Sequence, residues 1–120
     1  MVLVDTSVWI GHLQKGNNHL QSLLIKGVVV CHQYIIGELA CGNLKNRSEI
    51  IELLQSLPNI PQIELQEYLY FVEKHNLSGR GVGFVDIHLL ASSKLGQVKI
   101  WTLDKRLKLA AIDLGLNYNK

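Results

Sequence analysis

Cysteine and proline are scarce in this chain, and long apolar runs are missing. Only two cysteines occur, Cys31 and Cys41, both in apolar surroundings and without the close spacing of a metal site. We therefore expect reduced core residues and no zinc cage of cysteine and histidine. No stretch approaches the ~18 consecutive apolar residues of a membrane helix. The formal net charge of +2 excludes the strong basicity of an architectural nucleic-acid-binding protein.

The amino terminus also lacks the basic segment of a secretory signal, and Asp5 falls where the apolar region of such a signal belongs. We expect a soluble, cytoplasmic protein with no membrane association. With 120 residues, 48% of them hydrophobic, the chain is predicted to form one domain over residues 1–120. No internal repeat, low-complexity tract or linker is visible.

Apolar strand patterns alternate with helical patterns along the chain. Helices are predicted over 7–14, 20–25, 34–41, 48–57, 67–75, 84–95 and 105–114, with Gly96 ending the sixth. Strands are predicted at Val2–Val4, Val28–Cys31, near Gln62–Leu65, and at Val98–Leu103. Strands separated by helices imply parallel crossover connections. The predicted fold is α/β, a three-layer α/β/α sandwich with a mainly parallel sheet of about four or five strands.

Four acidic residues fall where a parallel sheet would bring them together. Asp5 and Asp104 directly follow apolar strands, so they belong at the same sheet edge. Asp86 opens a helix after a glycine-rich loop that can lie over this edge. Glu38 stands among apolar residues in the helix after the second strand. The other acids have polar neighbours or lie on helix faces, which is typical of solvated charges.

Clustered carboxylates raise one another's pKa values, and a divalent cation is the natural compensation. Mg²⁺ and Mn²⁺ prefer oxygen ligands and suit open carboxylate sites that also engage a phosphate. The alternative is that Asp5, Asp86 and Asp104 are ordinary helix caps. Glu38 has no capping role in such a scheme and needs a partner. The four acids taken together favour a metal site.

Four sequence blocks resemble the PIN-domain ribonucleases, and within them the VapC-type toxins of toxin-antitoxin pairs. The resemblance covers essentially the whole chain, with the blocks in the family's order and close to its usual spacing. The blocks are MVLVDTSVWI, IIGELACG, GVGFVDIHLLASSKL and KIWTLDKRL.

The resemblance implies a PIN-like fold and a Mg²⁺- or Mn²⁺-dependent endoribonuclease whose products carry a 5′-phosphate and a 3′-hydroxyl. It matches Asp5, Glu38, Asp86 and Asp104 to the family's acidic quartet, and Ser7 and Thr102 to supporting hydroxyl residues. It also implies a small antitoxin that blocks the acidic cleft, and a homodimer of the toxin. The expected substrate is RNA, with tRNA or another structured RNA as the target class.

The remaining candidates have two interpretations each. Apolar helices between Gln33 and Leu57 are docking surfaces for the antitoxin or simply pack in the core. His88 is interpreted as a packed core residue in preference to a substrate contact, and Trp9 and Trp101 as core aromatics. Four basic residues near the predicted cleft either steer the RNA backbone or are solvated surface. These are Arg80, Lys105, Arg106 and Lys108.

Two other functions use the same fold. One is a PIN-like module that binds RNA or protein without cutting, for which four clustered acids have no use. The other is a nuclease that processes RNA or acts on DNA. The length of 120 residues favours the toxin, because no additional recognition domain fits.

Overall fold

A computed structural model describes every residue from Met1 to Lys120. Its sheet has three parallel strands, with β1 (Val2–Val4) in the centre between β2 (Val29–Val30) and β3 (Lys99–Trp101). In this register, Leu3 pairs with Val30 on one side and with Ile100 on the other. All three residues of β1 are buried. This central position explains why β1 is an uninterrupted apolar run.

Seven helices surround the sheet, and the predicted α/β class is confirmed. Helix α3 contacts both α1 and α4, while α6 packs against α5 and β3. The seven are α1 (Thr6–Lys15), α2 (Asn18–Ile25), α3 (Gln33–Cys41), α4 (Arg47–Ser56), α5 (Leu65–Lys74), α6 (Phe84–Gly96) and α7 (Lys105–Asp113). A cluster of 27 buried apolar residues joins the strands to these helices. None of the helices is long and apolar enough to cross a membrane.

The sheet has fewer regular strands than the four or five predicted. Single parallel bridges extend its two edges, one between Cys31 and Asn59 and the other between Ile100 and Asn117. The predicted strand near Gln62–Leu65 is absent, because helix α5 begins at Leu65. The Glu67 carboxylate accepts a 3.0 Å hydrogen bond from the backbone N–H of Glu64, which fixes the start of that helix.

Two smaller predictions are also wrong. Helix α6 continues through Gly96, and Gln97 takes the left-handed conformation that ends it, at φ 56°. Both cysteines are free, but only Cys31 is a core residue, since Cys41 is exposed. Burial raises the pKa of the Cys31 thiol to about 11, so this residue behaves as a small apolar side chain.

Candidate active site

Asp5 lies at the end of β1, on the edge where the parallel strands finish. The pairing of Val4 with Trp101 places Asp5 level with Thr102. Its side chain is buried, and its Oδ2 accepts hydrogen bonds of 2.8 Å from the hydroxyls of Ser7 and Thr102. The carboxylate makes no capping bond to helix α1. The alternative that the Asp5 side chain is an ordinary helix cap is therefore wrong.

The two hydroxyls beneath Asp5 are themselves fixed by the backbone. The N–H of Leu103 donates to Ser7 Oγ at 3.0 Å, and the N–H of Asp104 donates to Thr102 Oγ1 at 3.0 Å. Each hydroxyl accepts from the backbone after β3 and points its own hydrogen at Asp5. Asp5 Oδ1 has no protein hydrogen bond, and it is not fully shielded from solvent. One carboxylate oxygen is thus anchored while the other remains free to bind a ligand.

Glu38 has a partner that the sequence did not indicate. The hydroxyl of Thr6, at the first position of α1, donates to Glu38 Oε1 at 2.8 Å. Glu38 is exposed on α3, and its other oxygen makes no protein hydrogen bond. Thr6 directly follows Asp5, so the junction between β1 and α1 carries one of the acids and binds another. The only sequence signal for Thr6 is its place between Asp5 and Ser7.

Asp86 is half-buried in the first turn of α6, where its Oδ2 accepts a 3.2 Å hydrogen bond from the N–H of Gly83. Burial raises the pKa of Asp86, and the carboxylates of Asp5, Asp104 and Glu38 raise it further, against the lowering effect of the Gly83 bond. The influence of these three charges on its pKa supports the prediction that Asp86 shares a site with them. The capping alternative is correct for Oδ2, because the Gly83 N–H belongs to the N-terminal cap of α6.

Asp104 combines a structural contact with a free oxygen. Its Oδ1 accepts a 2.9 Å hydrogen bond from the N–H of Leu107 and so caps helix α7. The capping interpretation is correct for that oxygen. Asp104 Oδ2 has no protein partner, and the residue is exposed. The same carboxylate can therefore start a helix and contribute charge to the site.

The basic residues divide between two locations. Arg80 forms an ion pair with Asp113 at 2.8 Å. Asp113 is nine residues after Asp104 on α7, about 13 Å along the helix axis. The Arg80 guanidinium is therefore engaged toward the C-terminal end of α7, and its role in binding RNA stays a prediction. By contrast, Arg106 lies over Gly81, where an added Cβ would stand 2.5 Å from Nη1. Gly81 has a φ of +75°, so glycine is required there by conformation and by space.

The other two basic residues, Lys105 and Lys108, are exposed on α7 near Asp104 and form no ion pair. Trp9 and Trp101 are buried, which supports their interpretation as core aromatics. His88 is also buried, among the rings of Tyr34, Tyr68 and Phe84. Burial lowers its pKa, so the ring is neutral near pH 7. Its Nδ1 has no hydrogen-bond partner.

The donor set fits a hard divalent cation. Its free atoms are carboxylate oxygens, and no lysine or arginine forms an ion pair with any of the four acids. No three acidic, histidine or cysteine side chains are grouped closely enough in this structure to hold a metal ion between them. The site therefore suits a cation that keeps several waters and takes only one or two carboxylates directly, as Mg²⁺ does, and not a dehydrated cage.

Comparisons with known proteins identify the family of this chain. The PIN-domain family model matches residues 2–113. The chain is 44% identical over 117 residues to Ribonuclease VapC32 of Mycobacterium tuberculosis, in each of two strains. That alignment covers 97% of this chain and 94% of the relative.

Two solved structures have the same fold. FitAcB from Neisseria gonorrhoeae has a TM-score of 0.63 at 18% identity, covering 93% of this chain and 94% of that chain. PAE2754 from Pyrobaculum aerophilum has a TM-score of 0.61 at 16% identity, covering 91% of this chain and 78% of that chain. At these identities the likeness shows the fold alone. The family model and the relative from M. tuberculosis together show that this chain belongs to the PIN-domain family, and within it to the VapC ribonucleases, which are metal-dependent hydrolases.

Proposed function

We propose that the protein is an endoribonuclease toxin that hydrolyses RNA phosphodiesters at the site formed by Asp5, Glu38, Asp86 and Asp104. The observation that carries the proposal is the state of Asp5. Its Oδ2 is fixed by Ser7 and Thr102, and its Oδ1 is free. A buried carboxylate with one oxygen anchored and one open is the arrangement expected of a metal ligand with a supporting hydrogen-bond shell.

Mg²⁺ or Mn²⁺ is the proposed cofactor. The four acids supply only oxygen donors, which both ions prefer, and none of the nitrogen or sulfur donors that are typical of zinc sites. A divalent cation held by Asp5 and its neighbouring acids would supply Lewis-acid activation of water and neutralise charge on the phosphate. Asp5 would hold it most firmly, because the two hydroxyls fix this side chain in place.

The protein's own residues then perform three tasks. Asp5 and Asp86 orient the attacking water, since both carboxylates are held by hydrogen bonds at one oxygen. Asp104 and Glu38 complete the negative environment and accept the proton that the water loses. The water oxygen forms a bond to phosphorus, and the bond from phosphorus to the 3′ oxygen breaks. The proton that the carboxylate took from the water passes to the departing 3′ oxygen, so the products are a 3′-hydroxyl and a 5′-phosphate and the reaction balances.

RNA is proposed to approach across the start of α7. Lys105 and Lys108 are exposed there without ion-pair partners, and Arg106 is fixed over Gly81 beside the loop that leads to Asp86. These three are the proposed contacts to phosphate, where positive side chains contribute most. Arg80 is a fourth proposed contact, and its exposed ion pair with Asp113 would have to open for it to bind phosphate. Structured RNA, including tRNA, is the proposed target class.

A small antitoxin is the proposed partner, and a groove beside Glu38 is the surface on which it would lie. This groove, between α1, α3 and the start of α4, has a volume of about 670 Å³. Its apolar lining includes Ile10, Leu13, Leu39 and Ile50, and its charged lining residues are Glu38 and Lys45. An apolar helix with a basic residue would fill the groove and pair with Glu38, and so cover the site. The other sizeable cavity, about 560 Å³ between α5 and α6, contains none of the four acids.

We further propose a homodimer of single-domain chains that acts in the cytoplasm. The single cluster of 27 buried apolar residues supports one domain over residues 1–120. Light scattering on the purified chain would determine the number of copies. A monomer at all concentrations tested would contradict the dimer without affecting the catalytic proposal.

The catalytic proposal is tested by incubating total small RNA with purified protein in Mg²⁺ or Mn²⁺. We expect discrete fragments with 5′-phosphate ends. The fragments should disappear with EDTA and with the Asp5→Asn variant, which keeps the shape of the side chain but removes its charge. Both controls are needed because contaminating nucleases would pass one of them.

Three results would contradict the proposal. Full activity in Asp5→Asn would show that the fragments come from another site or another protein. Absence of cleavage in either metal, with the protein folded and free of antitoxin, would favour a PIN-like module that binds without cutting. Cleavage of DNA but not RNA under the same conditions would favour the DNA-directed nuclease.

A further inference from the structure

An exposed aromatic ring stands beside the acidic site, and the chemistry proposed above leaves it without a role. Phe84 is the first residue of α6 and is 56% exposed. The residue before it, Gly83, donates its N–H to Asp86. Several large apolar side chains of this protein are exposed, but Phe84 adjoins a segment that bonds to a site carboxylate.

The Phe84 ring is held in place from below. It lies 4.6 Å from the His88 ring, 5.0 Å from Tyr68 and 6.3 Å from Tyr34, between ring centroids. The Tyr34 and Phe84 planes are inclined by only 24°. His88 is buried at the centre of these rings. An exposed ring that is already immobilised loses little conformational freedom when a ligand covers it.

The aromatic group also reaches the second helix of the site. Tyr34 is four residues before Glu38 on α3, so the two side chains occupy one face of that helix. Tyr34 therefore lies between Glu38 on α3 and Phe84 on α6. On the other side of Gly83, Arg106 lies over Gly81. An aromatic ring and a guanidinium thus flank the same short glycine segment that binds Asp86.

This arrangement matches the two parts of a nucleotide. A guanidinium binds phosphate, while a flat, apolar ring binds the face of a base. We propose that Phe84, supported by Tyr34, Tyr68 and His88, stacks against one nucleobase next to the phosphodiester that is cut. The inference rests on the proposed function and narrows its substrate class, since only a base free of its own stacking neighbours can lie on Phe84. The substrate is then RNA with a single-stranded loop or end at the cleavage point.

The test uses the mapped RNA target, shortened to a single-stranded fragment across the cut. The fluorescent base 2-aminopurine replaces each base near the cut in turn, in separate fragments. All binding is measured in the non-cutting Asp5→Asn background. At one position beside the cut, binding of the protein should quench the fluorescence, because stacking on an aromatic ring quenches this base.

Three variants of exposed aromatic residues sharpen the result. Phe84→Leu should abolish the quenching and weaken binding about tenfold, the size of one lost base stack. Phe84→Trp should retain both the quenching and the affinity of the wild type. Tyr70→Leu is the matched control, because Tyr70 is 64% exposed but lies on α5 at the cavity without any of the four acids. This control should change binding by less than about twofold. The same ranking is expected for kcat/KM when Asp5 is restored, with the loss mainly in KM.

The outcomes separate this inference from the catalytic proposal. If the wild type cuts RNA but Phe84→Leu binds and quenches normally, the stacking site alone is overturned. It is also overturned if Tyr70→Leu loses as much affinity, or if Phe84→Leu changes only the oligomeric state, since Phe84 then serves a protein interface. If the wild type neither binds nor cuts RNA, both proposals fail.

Discussion

The two sides of the acidic site are built differently. On the sheet side, formed by Asp5, Ser7 and Thr102, two hydroxyls donate to one carboxylate oxygen and each hydroxyl accepts a backbone N–H. On the helix side, formed by Glu38 and Asp86, each carboxylate accepts one hydrogen bond, from Thr6 and from Gly83 respectively. The sheet side is therefore fixed by a closed network. The helix side depends on how α3 and α6 are positioned.

The positioning of the helix side depends on a buried histidine. His32 precedes α3, and its Nδ1 accepts the N–H of Tyr34 at 3.0 Å. Its Nε2 lies 3.2 Å from Ser92 Oγ on α6, and donates to it because Nδ1 is the acceptor. One neutral ring thus joins the two helices that carry Glu38 and Asp86. The comparison indicates that the sheet side holds Asp5 in a fixed position, and that the packing of α3 and α6 brings Glu38 and Asp86 to it.

The largest expected difference between the two sides is in catalysis. Asp5→Asn should lower kcat/KM by about a thousandfold or more, because it removes the most firmly held metal ligand. Glu38→Gln should lower it by only about 10–100-fold, since Glu38 is exposed and held by a single bond. Initial rates on one defined RNA measure both. Equal losses would show that the two sides contribute alike.

Acid should weaken the helix side through His32. Burial, with a smaller contribution from His88, lowers the pKa of His32 from its ordinary 6.5 to about 4. The folded protein therefore binds this proton less readily than the unfolded chain. The stability contributed by neutral His32 is complete above pH 6.5 and is lost as the pH falls to about 4. The lost free energy of unfolding is up to roughly 3 kcal/mol, at about 1.4 kcal/mol for each unit of pKa.

Urea unfolding followed by tryptophan fluorescence at several pH values measures this change. His32→Gln should flatten the pH dependence if the variant folds. In the wild type alone, the same free energy of unfolding at pH 6.5 and pH 4 would contradict the assignment.

Removing the hydroxyls that support the acids should have a smaller effect. Thr102→Val and Ser7→Ala should each reduce activity about 10–100-fold, the range for partners that orient metal ligands. Thr6→Val removes the only hydrogen bond to the Glu38 carboxylate, and it should reduce activity less than either of those two substitutions. Metal affinity measured beside activity would separate loss of the ion from loss of fold. A larger loss of activity for Thr6→Val than for Thr102→Val would show that the helix side is the more important of the two.

The smallest expected effect is on stability without metal. The pKa of Asp86 is raised, so its ionised form is disfavoured in the folded protein. Above the ordinary value of 3.8 this charge destabilises the fold, and the penalty grows as the pH rises to the raised pKa. Asp86→Asn should therefore be slightly more stable than the wild type at pH 7 in EDTA. Thermal unfolding measures the difference, which should shrink on acidification. A less stable variant would show that the Gly83 bond needs the full charge.

Much of the fold could be predicted because the signals were local. The apolar run Val2–Val4 and the acids that follow strands are visible in the sequence, and they determine the sheet edge and its charge. The predicted strand near Gln62–Leu65 failed because Ile63 and Leu65 are compatible with either structure, and the Glu64–Glu67 capping contact decided for a helix. The end of α6 was misplaced because Gln97, an uncommon residue for φ > 0, took the role expected of glycine.

The site was less predictable where its contacts span the chain. Thr6 and Glu38 are 32 residues apart, and nothing in either segment indicates that they meet. Arg80 looked close to the acids in sequence, but the fold pairs it with Asp113. The rings around Phe84 come from α3, α5 and α6, so their clustering appears only in three dimensions.

The most direct test of the central claim, that these acids bind a divalent cation, is a calorimetric titration with Mn²⁺ in the absence of RNA. The wild type should bind, and Asp5→Asn and Asp86→Asn should each lose at least about tenfold in affinity. Glu49→Gln, which removes an exposed acid on α4, is the control and should bind like the wild type. Affinity that is the same in all four proteins would contradict the claim, because the ion would then bind elsewhere.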